Sequence, residues 1–103
     1  MPLDIAILDE SERPVMRRSV GTREHEALVA AGKSMGAKIL ARMYDYYADA
    51  EIEVHELPGF REELNSLLKQ PFLAFEVVEL LRVLESMSAQ AIKEMRKIVA
   101  IAD

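Results

Sequence analysis

Apolar residues along this chain repeat at two distinct periods. Leu3, Ile5 and Ile7 alternate with Asp4 and Ala6, the two-residue period of a half-buried strand. Asp9 to Pro14 is polar and carries proline at its exit, the composition of a turn. Val15 to Val20 predicts a second strand with Met16 and Val20 inward, so a β-hairpin is expected over 3–20. A lone hairpin is marginal in water and has to pack on helices or on another copy.

Beyond Gly21 the period lengthens. Thr22 suits a helix N-cap, with Glu24 and Glu26 near the positive end of the dipole. The first helix is expected over 23–34, with Ala27, Leu28 and Ala31 inward and Gly36 as a left-handed cap. A second is predicted over 37–48, where Ile39, Leu40, Met43, Tyr44 and Tyr47 fall at helical spacing. Ile52 and Val54 alternate with Glu51, Glu53 and His55, as in a short strand or an extended connection. The third helix, over 57–69, places Phe60, Leu64, Leu67 and Leu68 on one side and ends before Pro71.

From Pro71 nothing in the sequence interrupts a helix, which predicts a long C-terminal helix over 71–101. Continued to the end it is about 48 Å long, against about 33 Å for a compact domain of this size. Such a helix either breaks at Ser86-Met87-Ser88 or has its overhang covered by a partner. Phe72 to Leu84 is apolar nearly all round, and Met87, Ala91, Met95 and Ile98 continue as a stripe. The expected fold is α+β in one domain over 1–103: an N-terminal β-hairpin followed by a mostly helical domain with a long C-terminal helix. Phe72, Phe75, Val78, Leu81 and Met95 are the candidate homodimer interface.

Composition narrows the function classes. The chain has 103 residues, 50% hydrophobic and 30% charged, which is the make-up of one globular domain. Lys plus Arg number 13 against 18 Asp plus Glu, and the net charge of -5 argues against nucleic acid and anionic lipid as partners. Cysteine is absent, which removes disulfides, thiolate metal sites and thiol nucleophiles together. Apolar runs such as Ala27 to Gly32 fall far short of the about 20 residues of a bilayer span, and no basic leader opens the chain. No membrane partner and a cytoplasmic location are therefore expected.

Candidate chemistry is sparse. His25 lies between Glu24 and Glu26, but neighbours on a helix point about 100° apart, so a surface histidine is expected. No nucleophile, base and orienting group occur together, and neither a catalytic residue nor an enzyme activity is assigned. Asp45, Asp49, Glu51, Glu53 and Glu56, with His55, form an acidic stretch without Lys or Arg from Met43 to Phe60. Carboxylates suit hard divalent cations, and Asp45 and Asp49 share a helical face, so a metal or small-ligand site here is one alternative. The EF-hand register fails, however, because Val54 and Phe60 stand where glycine and glutamate are required. No metal ligand and no cofactor are assigned.

Tyr44 and Tyr47 are expected in the core, whereas Tyr46 points elsewhere. With Asp49, Glu51, Glu53 and His55 it forms the candidate surface for a basic protein partner. Arg13, Arg17, Arg18 and Arg23, on or near the second strand, either protect a sheet edge or pair with the acidic stretch of another copy. Met16, Met35, Met43, Met87 and Met95 fall on core faces as gap fillers.

Ala30-Ala31-Gly32-Lys33-Ser34-Met35-Gly36 resembles the turn of helix-turn-helix DNA-binding domains, especially the Ala-Ala-Gly-x-Ser-x-Gly turn of TetR-type regulators. The resemblance covers this turn alone. It implies a dimeric DNA-binding regulator with Lys33, Lys38 and Arg42 near phosphates, but Lys33 replaces an apolar turn residue and Asp45, Asp49 and Glu51 repel the same backbone. The leading expectation is a small, acidic, bacterial-type protein that acts without catalysis through protein–protein contact as a homodimer, in the manner of an inhibitor or immunity protein.

Overall fold

The computed structural model describes residues 3–71 and 73–102, and its architecture is α+β. Strands β1 (Leu3–Leu8) and β2 (Pro14–Val20) form the hairpin, paired antiparallel from Leu3 opposite Val20 to Ile7 opposite Met16. Asp9 organises the turn: its Oδ1 accepts the Ser11 and Arg13 amides at 2.8 and 2.9 Å. Helix α1 (Thr22–Met35) follows, with Gly21 rather than Thr22 at the cap position and Gly36 at φ 68° ending it in the left-handed conformation. Helix α2 (Leu57–Leu68) buries Leu57, Phe60, Leu64 and Leu67.

The expected helix over 37–48 is not formed. A single 3₁₀ turn, Leu40–Met43, stands in its place. The carboxylate of Glu63 on α2 accepts the Ile39 and Leu40 amides at 3.0 and 2.9 Å, which holds the chain against α2. Asp45 Oδ1 then accepts the Tyr47 amide at 2.9 Å, a local turn that competes with helix. Leu40 and Met43 are still buried, so the apolar spacing is satisfied without helical backbone. The alternating stretch that follows yields a three-residue strand, β3 (Ala50–Ile52), and a second 3₁₀ turn at Val54–Glu56.

The C-terminal helix, α3, covers Phe75–Glu94 rather than 71–101, and it runs unbroken through Ser86-Met87-Ser88. Met95 ends it at φ 55°, ψ 46°, and the Arg96 amide reaches back to the Ala91 carbonyl at 2.9 Å. This is a left-handed helix stop built without glycine. The chain then reverses into β4 (Ile98–Ala102), which lies between β1 and β3 in the antiparallel order β2-β1-β4-β3. Twenty residues of α3 span about 30 Å, inside a molecule measuring 40 × 29 × 20 Å, so no helical overhang exists.

One core joins the sheet to the helices. Leu3, Ile5, Ile7, Val20, Ile52, Ile98 and Ala100 face Leu28, Phe60, Leu64, Leu80, Leu81 and Leu84. Leu81 is wholly buried there, which removes it from any dimer seam. Met43 and Met87 fill the core as expected, but Met95 and Met35 are exposed. Among the described residues no helix is long and apolar enough to cross a membrane.

Met95 carries an exposed side chain in a backbone conformation that costs a non-glycine residue about 1–2 kcal/mol. Met95→Gly is expected to raise stability to urea by about 0.5–1 kcal/mol, after glycine's unfolded-state entropy is counted. Leu81→Asp, which buries an unpaired charge, is expected to abolish the cooperative transition in the same assay.

Candidate functional site

The acidic stretch is largely engaged in holding the fold. Asp49 Oδ1 accepts the Ala102 amide at 2.8 Å and so ties the end of β4. Glu51 pairs with Lys97 at 2.9 Å, and Glu56 makes a two-pronged ion pair with Arg42. Asp49 and Glu51 stay exposed while making these contacts, as do Glu53 and His55. Among the described residues no three acidic or histidine side chains converge on a point where a metal ion fits.

The tyrosines exchange their expected roles. Tyr46 is half-buried, donates its hydroxyl to the Val20 carbonyl at 3.0 Å, and meets His25 edge-on with ring centroids 5.0 Å apart. Tyr47 is the one presented to solvent, at 80% exposure. Of the candidate partner surface, Tyr46 is half-buried, whereas Asp49, Glu51, Glu53 and His55 are exposed, the first two while bonded to the Ala102 amide and Lys97. His25, expected at the surface, is only 5% exposed, and its Nε2–H donates to the Met43 carbonyl at 2.6 Å.

The expected dimer residues are also dispersed. Phe72 lies outside the described residues. Phe75 and Met95 are 78% and 77% exposed, but they stand at opposite ends of α3, about 30 Å apart. Val78 is half-buried. The turn at Gly36 leads into the 3₁₀ turn rather than a recognition helix, and Arg42 is held by Glu56.

A different surface emerges from the strand register. The core takes one face of the sheet; the other carries Asp4 and Ala6 of β1, Arg17 and Ser19 of β2, Val99 and Ile101 of β4, and Glu51 of β3. Arg17, Ala6, Val99 and Glu51 stand directly opposite one another across the four strands. This row therefore reads cation, apolar, apolar, anion. Ala6 and Val99 are buried beneath their neighbours, while Ile101 is 38% and Val15 48% exposed. Arg17 lies 3.9 Å from Asp4, and Lys97 holds Glu51, so the face carries both signs of charge around Ala6 and Val99, which are themselves almost wholly covered. The row has no signature in the sequence, because it depends on β4 being a strand.

At the β2 edge, Arg18 folds back. Its guanidinium bonds the Ser19 carbonyl and pairs with Glu24 at 2.5 Å. The contact with Arg18 holds the Glu24 carboxyl below the usual carboxylate range. An edge covered in this way resists strand addition by other chains.

Comparison with known protein families, with characterised proteins and with solved structures yields no match to this chain. Geometry and chemistry therefore carry the functional reading.

Glu56 provides a direct check of the acidic stretch. The Arg42 guanidinium, aided by the Glu53 amide, lowers its pKa from 4.5 to about 2. A carboxylate depressed in the folded state contributes stability above its unfolded pKa and loses it as pH falls. The Tm advantage of the parent over Glu56→Gln is expected to be full above pH 4.5 and to vanish towards pH 2. A constant difference across that window, in a thermal melt series, contradicts a role for the ion pair.

Proposed function

We propose that this chain is a non-catalytic protein–protein interaction protein that pairs with a second copy through the open face of its sheet. The row Arg17–Ala6–Val99–Glu51 is the observation that supports the reading. A two-fold axis running along the strands between two stacked sheets reverses this row. Arg17 of each copy then meets Glu51 of the other, above the almost wholly buried Ala6 and Val99. Aligned face-to-face stacking at about 10 Å is a common packing of antiparallel sheets. An interface of this kind is isologous and closes at two copies, so no open-ended assembly follows. Opposite edges of one sheet joined head to tail would instead propagate.

The charges need no net attraction between two molecules of charge -5. They act locally, by fixing the register of the two stacked sheets. A basic protein partner, as an inhibitor or immunity protein would have, is the competing occupant of the same face; it goes with a monomeric chain in isolation. A cytoplasmic place and the absence of catalysis belong to the same proposal.

Light scattering after size exclusion is expected to give twice 11.6 kDa over a range of concentrations. Arg17→Glu is expected to yield monomers that melt almost as the parent does, because Arg17 is largely exposed. Adding Glu51→Arg to Arg17→Glu is expected to restore the dimer. A parent that stays monomeric throughout, or a double variant that stays apart, overturns this arrangement.

A further inference from the structure

β4 is the last strand of the chain, yet it lies inside the sheet between β1 and β3. A short hinge, Met95 to Lys97, is all that separates it from the end of α3. We infer that β4 exchanges between copies: the slot between β1 and β3 takes the same strand of a second chain, giving a reciprocal swapped dimer. The exchange uses strand edges rather than the open face of the sheet, so it stands apart from the stacked arrangement.

The hinge is strained as well as short. Met95 stands at φ 55°, ψ 46°, and its side chain is 77% exposed. Turning it to the right-handed helical conformation relieves the conflict between its Cβ and the following carbonyl. Glu94, Met95, Arg96 and Lys97 are all good helix formers, with no glycine or proline among them. The turn is closed by the Met95 and Arg96 amides, which donate to the Ile92 and Ala91 carbonyls at 3.1 and 2.9 Å. In an extended α3 both amides bond instead to the carbonyl four residues earlier, so no donor is left unpaired. Short hinges under strain favour exchange, because opening removes the strain from both copies.

What β4 gives up in one copy it regains in the other. Its ladder with β1 runs from Ile98 opposite Ile7 to Ala102 opposite Leu3, and its ladder with β3 from Ile98 opposite Ile52 to Ala100 opposite Ala50. Asp49 accepts the Ala102 amide at 2.8 Å, Lys97 reaches Glu51 at 2.9 Å, and Arg96 Nη1 donates to the Leu8 carbonyl at 3.1 Å. The β4 side of each contact lies beyond Met95, so each is remade against the same residue of the second copy. Ile98 and Ala100 return to an identical core. The closed form is favoured by the tether, which keeps β4 at high effective concentration beside its own slot. Exchange therefore proceeds when the strand is released among many chains, and reciprocity closes it at two copies.

Arg17→Glu removes the stacked pairing of sheet faces, or leaves unchanged a parent that never pairs in that way, so a dimer formed in this background reports exchange alone. Full-length Arg17→Glu refolded from urea at high chain concentration is expected to give, beside the monomer, a species of twice 11.6 kDa that persists on dilution. Ile5 and Ala100 stand opposite each other in the ladder and are both buried in the core. In a dimer refolded from equal parts of ¹³C-labelled and unlabelled chain, isotope-filtered contacts are expected between Ile5 of one copy and Ala100 of the other. Met95→Gly in the same background removes the strain of the closed hinge and disfavours the extended helix. It is expected to lower the dimerisation constant about a hundredfold, about tenfold for each of the two hinges. Monomer alone at every refolding concentration overturns the exchange, as does a dimer whose Ile5–Ala100 contacts all lie within one chain. So does a dimer yield that Met95→Gly leaves unchanged.

Discussion

The left-handed turn at Met95 decides which structure this chain adopts. With Met95 at φ 55°, α3 stops and the chain doubles back to insert its last five described residues between β1 and β3. Without that insertion, β1 and β2 would be an isolated hairpin and β3 a three-residue strand with nothing to pair with. Ile98 and Ala100 also complete the floor on which α3 and α2 pack. One backbone conformation thus joins the first and last strands, and the sheet closes only when both ends of the chain are present. Pairings this distant along the sequence carry a large loop-closure cost, which the shared core offsets.

Much of the architecture is legible in the sequence because local and global preferences agree there. The hairpin has period-two strands around an Asx-stabilised turn, α1 ends at a glycine, and α2 presents Phe60, Leu64 and Leu67 at helical spacing. Two segments are not legible, for different reasons. Residues 37–48 have a helical apolar spacing, but Glu63 satisfies the backbone from another helix and Asp45 turns it locally. Residues 98–102 follow a helix with no glycine or proline between, because Met95 takes the position where glycine usually stands. The available signal was Ile98-Val99-Ala100-Ile101-Ala102, an unbroken apolar run rich in β-branched residues. A strand buried on both faces reads that way, and a surface helix does not.

The candidate surfaces follow from the same segment. Arg17 and Glu51 stand out in the sequence as members of oppositely charged patches, but only β4 brings them into one row with Ala6 and Val99 between. The acids around Glu51 read as a free patch because their partners are distant: Lys97, Arg42 and the Ala102 amide. The sequence conveys an inventory of charges. Which of them remain free is a property of the fold.

Amide hydrogen exchange of β4 tests the closure of the sheet by the C-terminal strand most directly. If β4 is the strand that joins β1 to β3, the amides it donates to them exchange as slowly as those in the core of α3, because releasing them requires the sheet to open. Cross-strand proximity between Ile5 and Ala100 accompanies that protection. Rapid exchange throughout 98–102, or helical contacts continuing through Met95 to Val99, would contradict it.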